Sequence, residues 1–237
     1  MVHLKVIKDQ VLKSIDSCDV VHGEFHFNGT IDTAKMANLC VGNDILMPLV
    51  LENGDISIKL SSTQQNVTGT PLNDELSGFL SHYNQIINQK AELIHKHDQA
   101  IMDGSDMDAI IRQLNEESYM LDLQEDSLIT NFVTDHFDNV LGPGVFFLLT
   151  IGMQYPELTP WIEDIMSKAT EKFKNDPMVK EYYEAAQQNQ NIMNGMQSEP
   201  AQPQAAPEDG PTPNEMAQPG TNQQQEQGSE EAPVEGE

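Results

Sequence analysis

Residues 69–76, Gly-Thr-Pro-Leu-Asn-Asp-Glu-Leu, divide the chain into two kinds of pattern and limit its fold more than any other stretch. Before them, apolar residues alternate at period two. After them, to about residue 195, they recur at three- and four-residue steps. The divide is itself a helix start. Thr70 is placed to accept a backbone N–H as N-cap, and Pro71 suits the first helical position, where its missing N–H is no loss. Asp74 and Glu75 set negative charge in the first turn, where the helix dipole favours it.

Upstream, the alternation predicts about seven short strands. His3–Lys8 turns at Asp9-Gln10 into Val11–Asp16, and Glu24–Asn28 sets Phe25 and Phe27 on one face. Met36–Val41 turns at Gly42-Asn43-Asp44 into Ile45–Leu51, where Pro48 marks an edge or a bulge. Glu52-Asn53-Gly54-Asp55 leads to Ile56–Leu60, and Asn66–Thr68 closes the set. An antiparallel sandwich-like β domain over residues 1–68 follows.

Downstream, Leu72, Leu76, Phe79, Tyr83, Ile86, Leu93 and His97 predict one helix from Pro71 to about Met102. Asp103-Gly104-Ser105 breaks it. Ile110, Leu114, Leu121, Leu128 and Phe132 then define a second helix ending near Asn139, so the pair forms an antiparallel hairpin. Gly142-Pro143-Gly144 reads as a helix stop and restart, and Val145–Met153 as a buried helix. Thr159-Pro160 and Asp176-Pro177 open two more. These make an α-helical domain over 71–195. From 197 to 237 the composition turns to Gln, Pro, Glu, Gly and Ala, which predicts a disordered acidic tail. The fold class is α+β.

Charge narrows the partners. The net charge of −26 leaves no basic stripe to neutralise phosphates, which argues against nucleic acid and against an anionic membrane surface. The longest apolar run, Val145–Ile151, falls far short of a membrane span. The opening MVHLKVIKDQ has no apolar core of a signal peptide, so read literally the chain is cytosolic.

Chemistry-bearing residues are sparse. Cys18 and Cys40 are the two cysteines, 22 positions apart, a spacing that fits neither a zinc pattern nor a Cys-x-x-Cys redox pair. They read as half-buried thiols, or as one disulfide in an oxidising compartment. His22 and His26 are separated by Gly23. His95 and His97, with Asp98, point to different sides of their helix, so no metal site is expected. No Gly-x-Ser-x-Gly elbow or phosphate-binding loop occurs. Trp161, Tyr182 and Tyr183, with Tyr155 nearby, read as packing aromatics rather than a binding platform. No catalytic residue and no cofactor are expected.

The runs SIDSCDVVHGEFHFNGTID (14–32), MPLVLENGDISIKL (47–60) and VTGTPLNDEL (67–76) resemble the domain of unknown function 4369, an N-terminal β domain of Gram-negative envelope proteins. The helical part, including NFVTDHFDNVLGPGVFF (131–147), is similar to the segment that in such relatives leads to a thioredoxin-like domain. Here the acidic tail stands in that place, so reductase activity does not carry over. The relatives carry an export signal, commonly a lipoprotein one, and an opening strand ahead of the strand matching VHLKVIK, so the resemblance implies that the first strand of the β domain is missing here. The resemblance therefore implies a start lying upstream, periplasmic or outer-membrane localisation and a lipid anchor at that upstream start.

The expectation is a non-catalytic envelope protein that binds a protein partner, which the sequence does not name. The alternative is an accessory of thiol–disulfide exchange beside a separate thioredoxin-like protein, through Cys18 or Cys40. A weaker one is a ligand- or metal-binding module using the β-domain histidines.

Overall fold

The computed structural model describes residues 1–8, 11–42, 44–61, 65–153 and 155–195. The expected turn at Asp9-Gln10, the turn residue Asn43 and the acidic tail lie outside them.

Among the described residues six strands precede six helices. Strands β1 (Val2–Lys8), β2 (Val11–Cys18), β3 (Lys35–Val41) and β4 (Asp44–Leu51) form an antiparallel sheet in the order β2-β1-β3-β4. Strands β5 (Ser57–Leu60) and β6 (Gln65–Thr68) pair as a separate antiparallel ribbon. One sheet face carries Val2, Leu4, Ala37, Leu39, Met47 and Leu49, which share a core with Val67 of the ribbon. Leu39 and Leu49 are fully buried there, worth about 1.5–3 kcal/mol each.

The expected strand over Glu24–Asn28 does not form. Val21 and Glu24 exchange backbone hydrogen bonds of 2.9 and 3.0 Å around His22 and Gly23. Both central residues have positive φ, +55° and +86°, the geometry of a type I′ turn. Beyond this turn, residues 25–34 join no ladder. Phe25 and Phe27 still cover the β core, their rings edge-on at 6.0 Å. Burial drove the alternation, and strand pairing did not follow from it.

Helix α1 spans Pro71–Met102, as the periodicity predicts. Its start is built differently from the expectation. Thr70 makes no side-chain cap bond; its hydroxyl accepts instead from Asn73 Nδ2 at 2.8 Å. Glu52, from the end of β4, does the capping, with Oε1 accepting the N–H groups of Leu72 at 2.9 Å and Asn73 at 3.2 Å. A carboxylate suits a helix N-terminus on charge as well as on hydrogen bonding. Gly69 is required ahead of it, because its φ is +102° and a β-carbon would run into the Asp55 carbonyl.

Helix α2 (Met107–Asp135) returns alongside α1. At about 48 and 43 Å, the two make a long arm. Its end is tied to the α1 start through His136, whose Nε2 lies 2.5 Å from Glu75 and whose Nδ1 lies 2.7 Å from the Phe132 carbonyl.

Gly142-Pro143-Gly144 does not stop a helix; it lies in the first turn of α3 (Leu141–Thr150), and α2 has already ended at Asp135. Pro143 is tolerated because first-turn N–H groups have no intrahelical acceptor. Gly142 is needed where the turn crosses the His136 carbonyl, and Gly144 where Met36 of β3 packs.

Helices α4 (Pro160–Lys168), α5 (Glu171–Lys174) and α6 (Pro177–Met193) complete the bundle. Phe146, Trp161, Ile162, Ile165 and Phe173 fill its core, which also takes in Val50 of β4. The β3–β4 half of the sheet thus packs on the ribbon with one face and on the helices with the other.

A candidate binding groove beside helix α1

Strand edges decide where this site lies. Strand β4 ends the sheet, so alternate residues turn their backbone groups away from β3. At Val50 those groups meet the buried side chain of Asn73: its Oδ1 accepts the Val50 N–H at 2.8 Å and its Nδ2 donates to the Val50 carbonyl at 2.7 Å. The amide stands in for a neighbouring strand. Two residues earlier the outward position is Pro48, which has no N–H to offer. One turn along α1, Ser77 Oγ donates to the Val67 carbonyl of β6. The start of α1 thus blunts both strand edges.

Beyond that plug the edges stay apart and α1 runs on beside them. The result is a groove of about 890 Å³ lined by Met47, Pro48, Ser61, Gln65, Asn66, Val67, Ser77, Leu80, Ser81, Asn84, Gln85, Asn88, Gln89 and Glu92. Among these described residues Glu92 alone is charged, in a chain where 21% of residues are. Three asparagines, three glutamines and three serines set donors and acceptors around an apolar strip of Met47, Pro48, Val67 and Leu80. The Val67 carbonyl points out of the ribbon, so by strand alternation the backbone groups of Gln65 face the same way.

Such a lining suits a neutral ligand rich in both donors and acceptors. It offers no carboxylate pair, no activated nucleophile and no aromatic ring to stack on. Sequence reasoning did not single out these residues. A signal existed: α1 carries Ser77, Ser81, Asn84, Gln85, Asn88 and Gln89 on its polar face, uncharged in a very acidic chain.

The residues that the sequence did single out are not brought together. Cys18 pairs with Val2 on one side of β1, and Cys40 pairs with His3 on the other. Two strand spacings, about 9.5 Å, separate their chains, against roughly 4.4–6.8 Å between the Cα atoms of a disulfide. They also point to opposite faces, because Val2 and His3 alternate. Both thiols are free, Cys18 half-buried and Cys40 buried. Burial pushes the Cys40 thiol pKa up, partly offset by Lys5.

Among the described residues no three His, Cys, Asp or Glu side chains converge as metal ligands. His22 sits in the tight turn, and His97 Nδ1 faces Asp98 at 3.3 Å. Trp161 is buried, and Tyr182 packs edge-on against Phe146 while its hydroxyl meets the backbone of Glu157. Tyr155 is exposed.

Comparison with known families reaches only the strands and the joint. Residues 1–76 match the domain of unknown function DUF4369. The DUF4369 match closes at Leu76, in the second turn of α1, and so takes in Glu52, Thr70 and Asn73. The helices beyond it, over which the sequence resemblance also ran, lie outside the matched residues. The chain matches no curated protein and no solved structure. No helix among the described residues is long and apolar enough to cross a membrane.

Proposed function

We propose that this chain is a non-catalytic interaction module of the cell envelope, holding an extended, uncharged polypeptide segment in the groove between α1 and the edges of β4 and β6. The observation that carries the reading is the lining: nine neutral amide and hydroxyl side chains around an apolar strip. Amide side chains offer paired donors and acceptors that match a peptide backbone, and an extended segment beside a strand edge adds main-chain hydrogen bonds. An anionic segment would lose its hydration without gaining a counter-ion, and a cationic one would find Glu92 alone among the lining residues. The envelope placement draws on the DUF4369 resemblance.

Thiol exchange beside a thioredoxin-like partner is the weaker reading. It would fall to Cys18, since Cys40 is buried and held in its protonated form.

The test is selection from a displayed library of random peptides on the full chain, against the Ser81→Trp variant, which fills the groove from an exposed position. Neutral, extended peptides enriched on the wild type and not on Ser81→Trp support the reading. Equal enrichment on both, or a preference for neutral oligosaccharides over any peptide, overturns it.

A further inference from the structure

A second surface lies along one flank of the α1–α2 arm. Two adjoining hollows, of about 480 and 640 Å³, share Gln89 and Met120 and so run together as one furrow. Its floor is apolar: Ile86 and Leu93 come from α1, Leu121 and Leu128 from α2. Met120 and Leu123 stand on its α2 side, 55% and 46% exposed. Large side chains left this open in a two-helix arm form an apolar face without a covering element.

The furrow runs on α1 from His82 to Lys96, about 21 Å or four helical turns. A third helix laid between two others needs this shape and this length.

Charge selects the occupant. Glu92, Glu116, Glu117 and Asp135 stand in the lining, and its one lysine, Lys96, already pairs with Glu117 at 3.0 Å. Over residues 71–135 the sequence has 13 acidic residues and three basic ones. Lys90, another of the three, is held by Asp122 and Glu125. A second copy of the chain would bring an equally acidic arm against this one, like charge on like.

We infer that the furrow between α1 and α2 takes an amphipathic helix of a partner protein, apolar on the face that enters the furrow and carrying Lys or Arg on both flanks. It adjoins the neutral groove, with which it shares Gln85, Gln89 and Glu92 of α1, but its other wall is α2 where the groove's is β4 and β6; it reads helical and basic segments where that groove reads extended and uncharged ones.

The probe is a synthetic helix of about 18 residues with one leucine stripe flanked by lysines, titrated into the full chain by fluorescence anisotropy. Two peptides control it: the same composition in scrambled order, and the same stripe flanked by glutamates. The stripe-and-lysine helix is expected to bind, more weakly as salt rises. Met120→Glu and Leu123→Glu, both at exposed positions that leave folding intact, each weaken it by about tenfold or more. Ser81→Trp in the neutral groove leaves it unchanged. Equal binding of the scrambled or glutamate peptide overturns the proposal, as does indifference to both furrow variants. A dimer in sedimentation that Met120→Glu disperses also overturns it, since the occupant is then a second copy.

Discussion

Met36 of β3 packs directly against Gly144 of α3, closely enough that a β-carbon at residue 144 would approach Met36 Cγ to well inside the van der Waals contact distance of two carbons. This contact joins the sheet to the helical core and explains the second glycine of Gly142-Pro143-Gly144. Gly144→Ala should destabilise the protein by about 1–3 kcal/mol in urea unfolding, although alanine is the better helix former. Met36→Ala should recover part of that loss when the two are combined, because the variants share one contact. Additive losses would mean that the crowding lies elsewhere.

Asn73 joins β4 to α1 from the other side of the divide. Asn73→Leu should cost about 1–3 kcal/mol for each buried group left without a partner. It also reopens the β4 edge, so self-association in sedimentation should rise. Asn73→Asp keeps an acceptor for the Val50 N–H, loses the donor to the Val50 carbonyl, and sets a second carboxylate near Glu52. Its deficit should be largest at neutral pH and shrink as pH falls through the carboxylate range, where the protonated acid donates again.

These two contacts show where reading the sequence succeeds and where it stops. Helix α1 was legible to its last residue, because apolar spacing, Pro71 and Asp103-Gly104 are all local signals. Pro48 was legible as an edge residue because a missing N–H has few other uses in a sheet. The cap by Glu52 was not, since it depends on a partner twenty residues away whose position only the folded β4 sets. Glu24–Asn28 misled because alternating Phe25 and Phe27 report burial and say nothing of a neighbouring strand. The groove had a signal on α1, but its other wall comes from β4 and β6, and spacing does not show that these edges face α1.

Ionisation in the arm gives a pH test. Asp126 has its pKa raised above 3.8 by burial, then by Glu125 and Asp122. The folded state therefore holds this proton to higher pH than the unfolded chain, and the charged form is a liability at neutral pH. Asp126→Asn should raise the melting temperature at pH 7, and the gain should fade as pH falls through the raised pKa.

Lys90 behaves in the opposite sense. Burial opposes its charge, but hydrogen bonds to Asp122 and Glu125 outweigh that and raise its pKa above 10.5. Its contribution is therefore present at neutral pH and lost as pH climbs past 10.5. Tyr83, raised above 10.0 by burial and Glu125, loses stability in the same alkaline direction. Lys90→Met should cost about 1–2 kcal/mol at pH 7, between the values for exposed and buried pairs, and should flatten the alkaline fall in thermal unfolding.

The cysteines should differ in reactivity. In the native protein a maleimide should label Cys18 and leave Cys40 untouched until unfolding. Mass taken without reductant should show no Cys18–Cys40 bridge, since β1 lies between their strands. The raised Cys40 pKa adds a decline in stability above pH 9.0, where the unfolded thiol ionises and the folded one does not. Rapid native labelling of Cys40 would contradict this placement.

The measurement that bears most directly on the binding groove is backbone amide chemical-shift mapping of the isotope-labelled full chain, titrated with a peptide selected on the wild type. Binding of an extended segment beside β6 should move Gln65, Asn66, Asn84 and Asn88 together and slow amide exchange at Gln65. It should leave Met120 and Leu123 in place. Shifts confined to the α1–α2 furrow, or scattered over the acidic surface and abolished by salt, would show that the neutral groove is not the site.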